Sequence, residues 1–311
     1  MSEISRLEEI EQQYDHLVQA GAYAEALELI NREGHLFPDY SQKVICSWRI
    51  EMASRLGNAE LTLQLLQEAV QAGHWYGGLR GDPDLALLRG RPEFERLVDL
   101  CEQRRIAAIA AAQPVLTTIP PEKGPAPFPL LIALHGANAT AEGGHWSPAA
   151  AHGWFVAIPQ SSQVYAPGTY TWNDRQWAIQ EVRAHYDRLR AEFPIDPERV
   201  VLAGFSQGGG LATSLALSET IPARGLILVG PFLPDVNAVV PLLEEHDMRG
   251  LRAYLVAGLR DRYCYGIARQ LAEILPRYGV VCQLEVCADL EHMFPDDFDQ
   301  RLPAALDFVL P

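Results

Sequence analysis

Positive charge is scarce in this chain. Across 311 residues, 25 Lys and Arg face 40 Asp and Glu, a formal net charge of −15. Such a surface repels phosphate backbones and anionic bilayers, so nucleic acid and acidic membrane are not expected as partners. The deficit is spread along the chain, with 11 basic and 18 acidic side chains in residues 1–112 and 14 and 22 in residues 113–311. Only two of the basic residues are lysines, Lys43 and Lys123. Cysteine is also sparse: Cys46, Cys101, Cys264, Cys282 and Cys287 are odd in number and lack framework spacing. Reduced thiols in a cytoplasmic setting are therefore expected in place of disulfides. There is no Cys-x-x-Cys and no His-Glu pair at zincin spacing, so no metal and no cofactor are expected. No apolar run reaches 18 residues, which excludes a membrane-spanning helix, and the first residues, Met1-Ser2-Glu3-Ile4-Ser5-Arg6, do not read as a signal peptide. Asp296-Asp297-Phe298-Asp299 imitates a calcium loop only superficially and reads as the N-cap and first turn of a last helix over 298–310.

Apolar residues are abundant, at 48%, enough for a packed core. The informative segment is Gly204-Phe205-Ser206-Gln207-Gly208, which follows the strand-like run Arg199-Val200-Val201-Leu202-Ala203 and precedes a helix-like stretch, 209–219. Turning from strand to helix at a single residue strains the backbone, and the glycines on either side of Ser206 remove the clashes. The helix behind Ser206 aims its N-terminal amides at whatever Ser206 attacks. That context predicts a nucleophile, the bland reading being a plain strand–helix turn.

A nucleophilic serine needs a base, and the base needs an acid. Strand-like residues 251–257 end in Gly258-Leu259-Arg260-Asp261, and strand-like residues 280–287 end in Ala288-Asp289-Leu290-Glu291-His292. In an open parallel sheet these loops share the edge that carries Ser206. Asp261 and His292 are thus the expected acid and base. Asp289 and Glu291 are rival carboxylates, disfavoured because they adjoin His292. Upstream, strand-like residues 128–134 end in His135-Gly136-Ala137-Asn138. The backbone N–H groups of Gln207 and Ala137 are the expected oxyanion donors, with His135 shaping the loop.

With these residues in view, 113–311 resembles the α/β-hydrolase superfamily, and more narrowly the phospholipase/carboxylesterase group of serine esterases. The resemblance rests on His135-Gly136, Trp172-Asn173-Asp174, Gly204-Phe205-Ser206-Gln207-Gly208-Gly209, Gly258-Leu259-Arg260-Asp261 and His292. It implies a mostly parallel sheet flanked by helices and hydrolysis of small carboxylic esters of short to medium acyl chain through an acyl-enzyme. Ser206, His292 and Asp261 take the roles of nucleophile, base and acid. Ala137-Asn138-Ala139-Thr140 departs from the Gly-Asp-rich loop usual in that group. Trp172, Phe205 and Phe294 are candidate pocket walls. A serine peptidase or amide hydrolase would use the same three residues, and an interaction protein built on an inactive hydrolase is a third class.

Residues 1–112 read as a separate all-α domain. Leu7, Ile10, Tyr14, Leu17 and Val18 recur at helical spacing, Ala26, Leu27 and Ile30 follow after Gly21, Pro38 interrupts, a third helix spans 40–56, and Leu61, Leu65, Leu66 and Val70 follow Gly57. Gly21 and Gly57 stand 36 residues apart at like turns, close to the tetratricopeptide period. Residues 74–92 look loop-rich, and a last helix of the domain runs over 93–112. This tetratricopeptide-like domain could cover the active-site groove or serve a protein partner or self-association. Only 21 residues separate Val229 from Leu251, mostly one helix over 238–246, so the hydrolase itself has no room for a helical cap there.

Overall fold

The computed structural model describes residues 3–36, 39–141 and 144–311. The chain divides into two compact units, one of residues 1–111 with 165–167 and one of residues 112–164 with 168–311.

The first unit is helical: α1 (Glu3–Gln19), α2 (Tyr23–Glu33), α3 (Asp39–Arg55), α4 (Ala59–Gln71) and α5 (Pro92–Ala111). Helices α2, α4 and α5 each show the core one apolar stripe, because residues three and four apart share a face. In α4 the stripe is Thr62, Leu63, Leu65, Leu66, Ala69 and Val70, and Asn58 caps the helix by accepting from the Leu61 N–H at 3.1 Å. Tyr14 stacks on Trp48 at 4.4 Å within a cluster that includes Ile10, Ile30 and Met52. The turns at Gly21 and Gly57 are equivalent. Both glycines sit at φ 72°, and the next amide reaches back to close the helix, Ala22 to Leu17 O at 2.9 Å and Asn58 to Ala53 O at 3.1 Å. Pro38 and the side chain of Leu7 lie outside the described residues. Residues 74–92 are not wholly irregular, since Pro83–Leu88 forms a 3-10 helix capped by Asp82.

The second unit is built on β1 (Val115–Ile119), β2 (Phe128–Leu134), β3 (Phe155–Gln160), the first residue of β4 (Val164–Ala166), β5 (Thr169–Tyr170), α6 (Arg175–Glu192), β6 (Ile195–Phe205), α7 (Gln207–Leu217), β7 (Gly225–Val229), α8 (Val240–Glu245), β8 (Arg252–Gly258), α9 (Tyr265–Ile274), β9 (Val281–Cys287) and α10 (Phe298–Val309). Seven strands form one sheet in the order β1-β3-β2-β6-β7-β8-β9, with β1 antiparallel to β3 and every other pair parallel. Where they pair in the middle of the sheet the strands are apolar, Val200–Ala203 of β6 among them, because helices cover both faces. One core layer joins the sheet to Ala178, Val182, Leu211, Leu215, Ala268 and Leu271 of α6, α7 and α9; the other joins it to Phe298, Leu302 and Leu306 of α10. The parallel strands direct the ends of β2, β6, β7, β8 and β9 to a single edge.

Two expectations need correction. The segment between β7 and β8 is not one helix over 238–246. A 3-10 turn, Val236–Val239, gives way to the short α8 at Val240, and Pro241 fits the first turn of α8 because its missing N–H is not needed there. Asp297 does occupy the N-cap position of α10, but its carboxylate does not cap the helix; it accepts from Arg301 Nε at 2.6 Å. Pro303 lies within α10. Among the described residues, no helix is long and apolar enough to cross a membrane.

Candidate active site

Strand β6 runs between β2 and β7 and delivers Phe205 to the sheet edge, where the backbone reverses into α7 at Ser206. Ser206 has φ 52° and ψ −119°, a conformation costly for any residue with a Cβ. Three backbone bonds hold it there. Its N–H donates to Val229 O at 3.0 Å, and its carbonyl accepts from Gly210 at 3.1 Å and Phe232 at 2.8 Å. The hydroxyl projects from the N-terminus of α7. Gly208 permits this packing, since a Cβ there would collide with the Leu134 and His135 carbonyl oxygens.

His292 reaches Ser206 from the loop after β9, with Nε2 2.9 Å from Oγ. Its Nδ1 lies 2.7 Å from Asp261 Oδ2. A carboxylate only accepts, so Nδ1 carries the proton and Nε2 is left to accept from the serine. Asp261 is buried, and its other oxygen accepts the N–H groups of Cys264 at 2.9 Å and Tyr263 at 3.1 Å. These donors replace the water lost on burial. The rival Asp289 is exposed and paired with Arg260 at 2.5 Å. The loop bearing His292 crosses close over the end of β8, where Arg260 N–H donates to Leu290 O at 3.0 Å and Leu259 N–H to Cys287 O at 2.9 Å. That approach requires Gly258, because a Cβ there would run into the carbonyl oxygens of Leu290 and Glu291.

The sequence matches two family models, "A/B hydrolase-like, N-terminal domain" over residues 10–109 and "Phospholipase/Carboxylesterase" over residues 176–245. The second span includes Ser206 and stops short of Asp261 and His292. A crystal structure of an uncharacterised protein from Bacillus cereus ATCC 10987 is similar over 97% of this chain and 98% of its own, with a TM-score of 0.55 and 24% identity. The chain has an α/β-hydrolase fold. Two curated relatives match over shorter stretches. A bifunctional acetylxylan esterase/xylanase from Neocallimastix patriciarum is 35% identical over 101 residues, 29% of this chain and 14% of that protein. A poly(3-hydroxyalkanoate) depolymerase C from Paucimonas lemoignei is 31% identical over 127 residues, 36% of this chain and 30% of that protein. The chain thus spans less than a third of either curated relative.

The loop after β2 carries Ala137 to the same edge. Gly136 brings the loop backbone against the elbow, for a Cβ on it would stand 3.5 Å from Ser206 Cβ. As the first residue of α7, Gln207 has an N–H with no acceptor inside the helix. His135 is buried beneath this loop. Its Nε2 accepts from Ser161 N–H at 3.2 Å, and its Nδ1 therefore donates to Gly136 O at 2.8 Å. Burial pushes its pKa down to about 4, partly opposed by the bond to Gly136.

The three candidate pocket aromatics separate. Phe205 and Phe294 are half-buried beside His292, with Phe205 at 4.8 Å from the His292 ring and 4.9 Å from Phe294. Phe294 also stacks on His145 at 4.0 Å. Trp172 instead belongs to the core. It is fully buried, stacked on His135 at 4.6 Å, with Nε1 donating to His135 O at 3.0 Å. Flat aromatic area and a buried N–H that needs a partner suit it to that place.

Among the described residues, donor atoms of Asp261, Cys264 and His292 lie within 4.8 Å of one another, a group of metal-ligand types. Two of these donors already share a proton across 2.7 Å, and burial, with Asp261 second, pushes the Cys264 thiol up to about 12, so it enters this group protonated. The sequence reading did not find the polar links that the Gln207 side chain makes to Thr171, Trp172 and Asn173. Its only sequence trace is the coexistence of Trp172-Asn173-Asp174 with Ser206-Gln207.

Proposed function

We propose that this α/β-hydrolase is a serine carboxylesterase acting on small carboxylic esters of short to medium acyl chain. The observation that carries the reading is the chain of contacts from Ser206 Oγ through His292 to Asp261, at 2.9 and 2.7 Å, with the serine at the N-terminus of α7. The match to the phospholipase/carboxylesterase model over residues 176–245 supports it, as do curated relatives named for an acetylxylan esterase and a polyhydroxyalkanoate depolymerase.

In this reading Ser206 Oγ attacks the ester carbonyl carbon while His292 Nε2 takes the serine proton. The carbonyl π electrons move to oxygen, and the resulting oxyanion is met by the N–H groups of Gln207 and Ala137. Asp261 holds the imidazole tautomer and stabilises the imidazolium. His292 then returns the proton to the leaving alkoxide as the C–O bond breaks, and the acyl-enzyme remains. A water activated by the neutral His292 attacks that ester, the Ser206–acyl bond breaks, and the acid and free serine are regenerated.

Residues 1–112 we read as a distinct tetratricopeptide-like domain, supported by the equivalent turns at Gly21 and Gly57. The test of the function is a panel of p-nitrophenyl esters of increasing acyl length set against aminoacyl anilides, combined with fluorophosphonate labelling and peptide mapping. Ester turnover with label on Ser206 supports the reading. Turnover of anilides alone would favour the peptidase alternative, and absence of both turnover and label would refute an active serine hydrolase.

A further inference from the structure

The two amides proposed to bind the oxyanion belong to different parts of the fold. Gln207 stands on the elbow after β6, and Ala137 stands on the loop after β2. The two strands pair with each other only as far as Leu134 and Gly204. A third segment, residues 169–173, bonds to both the elbow and the loop.

One end of this segment is joined to the Ala137 loop. Tyr170 N–H donates to Ala139 O at 2.9 Å, Ala139 N–H returns to Tyr170 O at 3.3 Å, and Thr169 Oγ1 donates to Asn138 Oδ1 at 2.6 Å. The other end is joined to the Gln207 side chain. Gln207 Oε1 accepts from Trp172 N–H at 2.7 Å and from Thr171 Oγ1 at 3.0 Å, while Gln207 Nε2 donates to Asn173 Oδ1 at 2.8 Å. The Trp172 indole closes the arrangement by donating to His135 O, two residues before Ala137. The amide of Gln207 thus uses both oxygen lone pairs and one N–H on a single segment.

We propose that the Gln207 side chain is a positioning group for the oxyanion hole, holding the Ala137 loop in register with the Gln207 backbone amide through residues 169–173. The inference rests on the esterase reading. Oxyanion stabilisation depends on donors fixed before the charge develops, and a displacement of about 1 Å in a catalytic group can cost on the order of a hundredfold in rate. A side chain that locks the two donor-bearing loops together acts on that distance without touching the substrate.

The experiment uses the full chain with Gln207→Met, which keeps the length and the backbone N–H but removes all three polar links. Gln207→Glu, which keeps the two acceptor bonds and loses the donation to Asn173, and Thr171→Val, which removes one bond, are the graded companions. Three quantities are read: kcat and KM on a p-nitrophenyl ester, the inhibition constant of a trifluoromethyl ketone, and that of the matching secondary alcohol. The ketone adds Ser206 Oγ to its carbonyl carbon, sends the serine proton to His292 and leaves an oxyanion; the alcohol forms none. Gln207→Met should lower kcat and weaken the ketone by about tenfold to a hundredfold, with KM and alcohol binding within about twofold. Gln207→Glu and Thr171→Val should show smaller losses of the same kind. Wild-type kcat and ketone affinity in Gln207→Met would overturn the proposal, as would equal weakening of ketone and alcohol, which signals general loss of the pocket. A wild-type protein that neither hydrolyses the ester nor binds the ketone would instead refute the esterase reading itself.

Discussion

Asp261 Oδ2 lies 2.7 Å from His292 Nδ1, although 31 residues separate the two in the chain. The exposed Asp289, three residues before His292, is turned away into an ion pair with Arg260. Selection of the distant carboxylate follows from the sheet. The ends of β8 and β9 are neighbours, and Gly258 allows the β9 loop to cross over the β8 loop.

The two aspartates should therefore behave differently on substitution. Asp261→Asn is expected to lower kcat by about a thousandfold to ten-thousandfold, since an amide can hold the wrong imidazole tautomer. Asp289→Asn should leave kcat within about threefold, because an exposed ion pair contributes little. Steady-state kinetics of the two variants on one ester checks this, and a crippled Asp289→Asn would reverse the assignment.

The strained backbone at Ser206 predicts a trade between stability and activity. At φ 52° and ψ −119° a serine stores strain of about 1–3 kcal/mol, which glycine would not carry. Glycine gives back about 0.5–1 kcal/mol through its freer unfolded chain. Ser206→Gly should thus match or exceed the wild type in urea stability while losing esterase activity. Ser206→Ala, which keeps the strain, should lose activity without the gain in stability. A Ser206→Gly protein clearly less stable than Ser206→Ala would contradict this account.

Much of the site was legible because its signals are local. The turn at Ser206 needs small residues on both sides of one serine, and such a constraint shows within five positions. Strand β2 falls on the residues expected for it because a doubly covered strand is a short unbroken apolar run. The segment after β7 was less legible. Its apolar spacing resembles one helix, and the break falls at Val240, where Pro241 enters the first turn of α8. The Asp297 side chain was misread because an N-cap position does not reveal that Arg301, one turn later, competes for its carboxylate. The bonding of the 169–173 segment could not be read. Its bonds join residues more than thirty positions apart, and nothing in the local pattern distinguishes Trp172 in the core from Trp172 in a pocket.

Two glycines offer a paired test of close packing. Gly258→Ala would thrust a Cβ into the carbonyl oxygens of Leu290 and Glu291, displacing the loop that carries His292. We expect a loss of stability of about 1–3 kcal/mol and a marked fall in kcat. Gly266, inside α9, has no atom within 4 Å of the position its Cβ would take. Gly266→Ala should stabilise the protein by about 0.5–1 kcal/mol with unchanged kinetics. Denaturant titrations of both variants check the contrast.

His135 makes the folded state sensitive to acid in a direction that can be worked out. Its folded pKa is depressed to about 4, mainly by burial, whereas an unfolded histidine titrates near 6.5. Between these values the unfolded chain binds a proton that the folded chain refuses. Stability from this residue is therefore complete above about pH 6.5, falls as the pH drops, and stops falling below about pH 4. The whole change is worth about 3 kcal/mol. In His135→Gln that contribution is absent, while the variant loses the bonds to Ser161 and Gly136 at every pH. The stability gap between wild type and His135→Gln, measured by urea unfolding, should thus be widest near pH 7 and narrow by up to about 3 kcal/mol toward pH 4. Carboxylates titrate in both proteins and cancel in the difference. A gap that stays constant over this range would mean that His135 takes up its proton in the folded state as easily as in the unfolded one, and that its ring does not depend on being neutral to accept the Ser161 N–H.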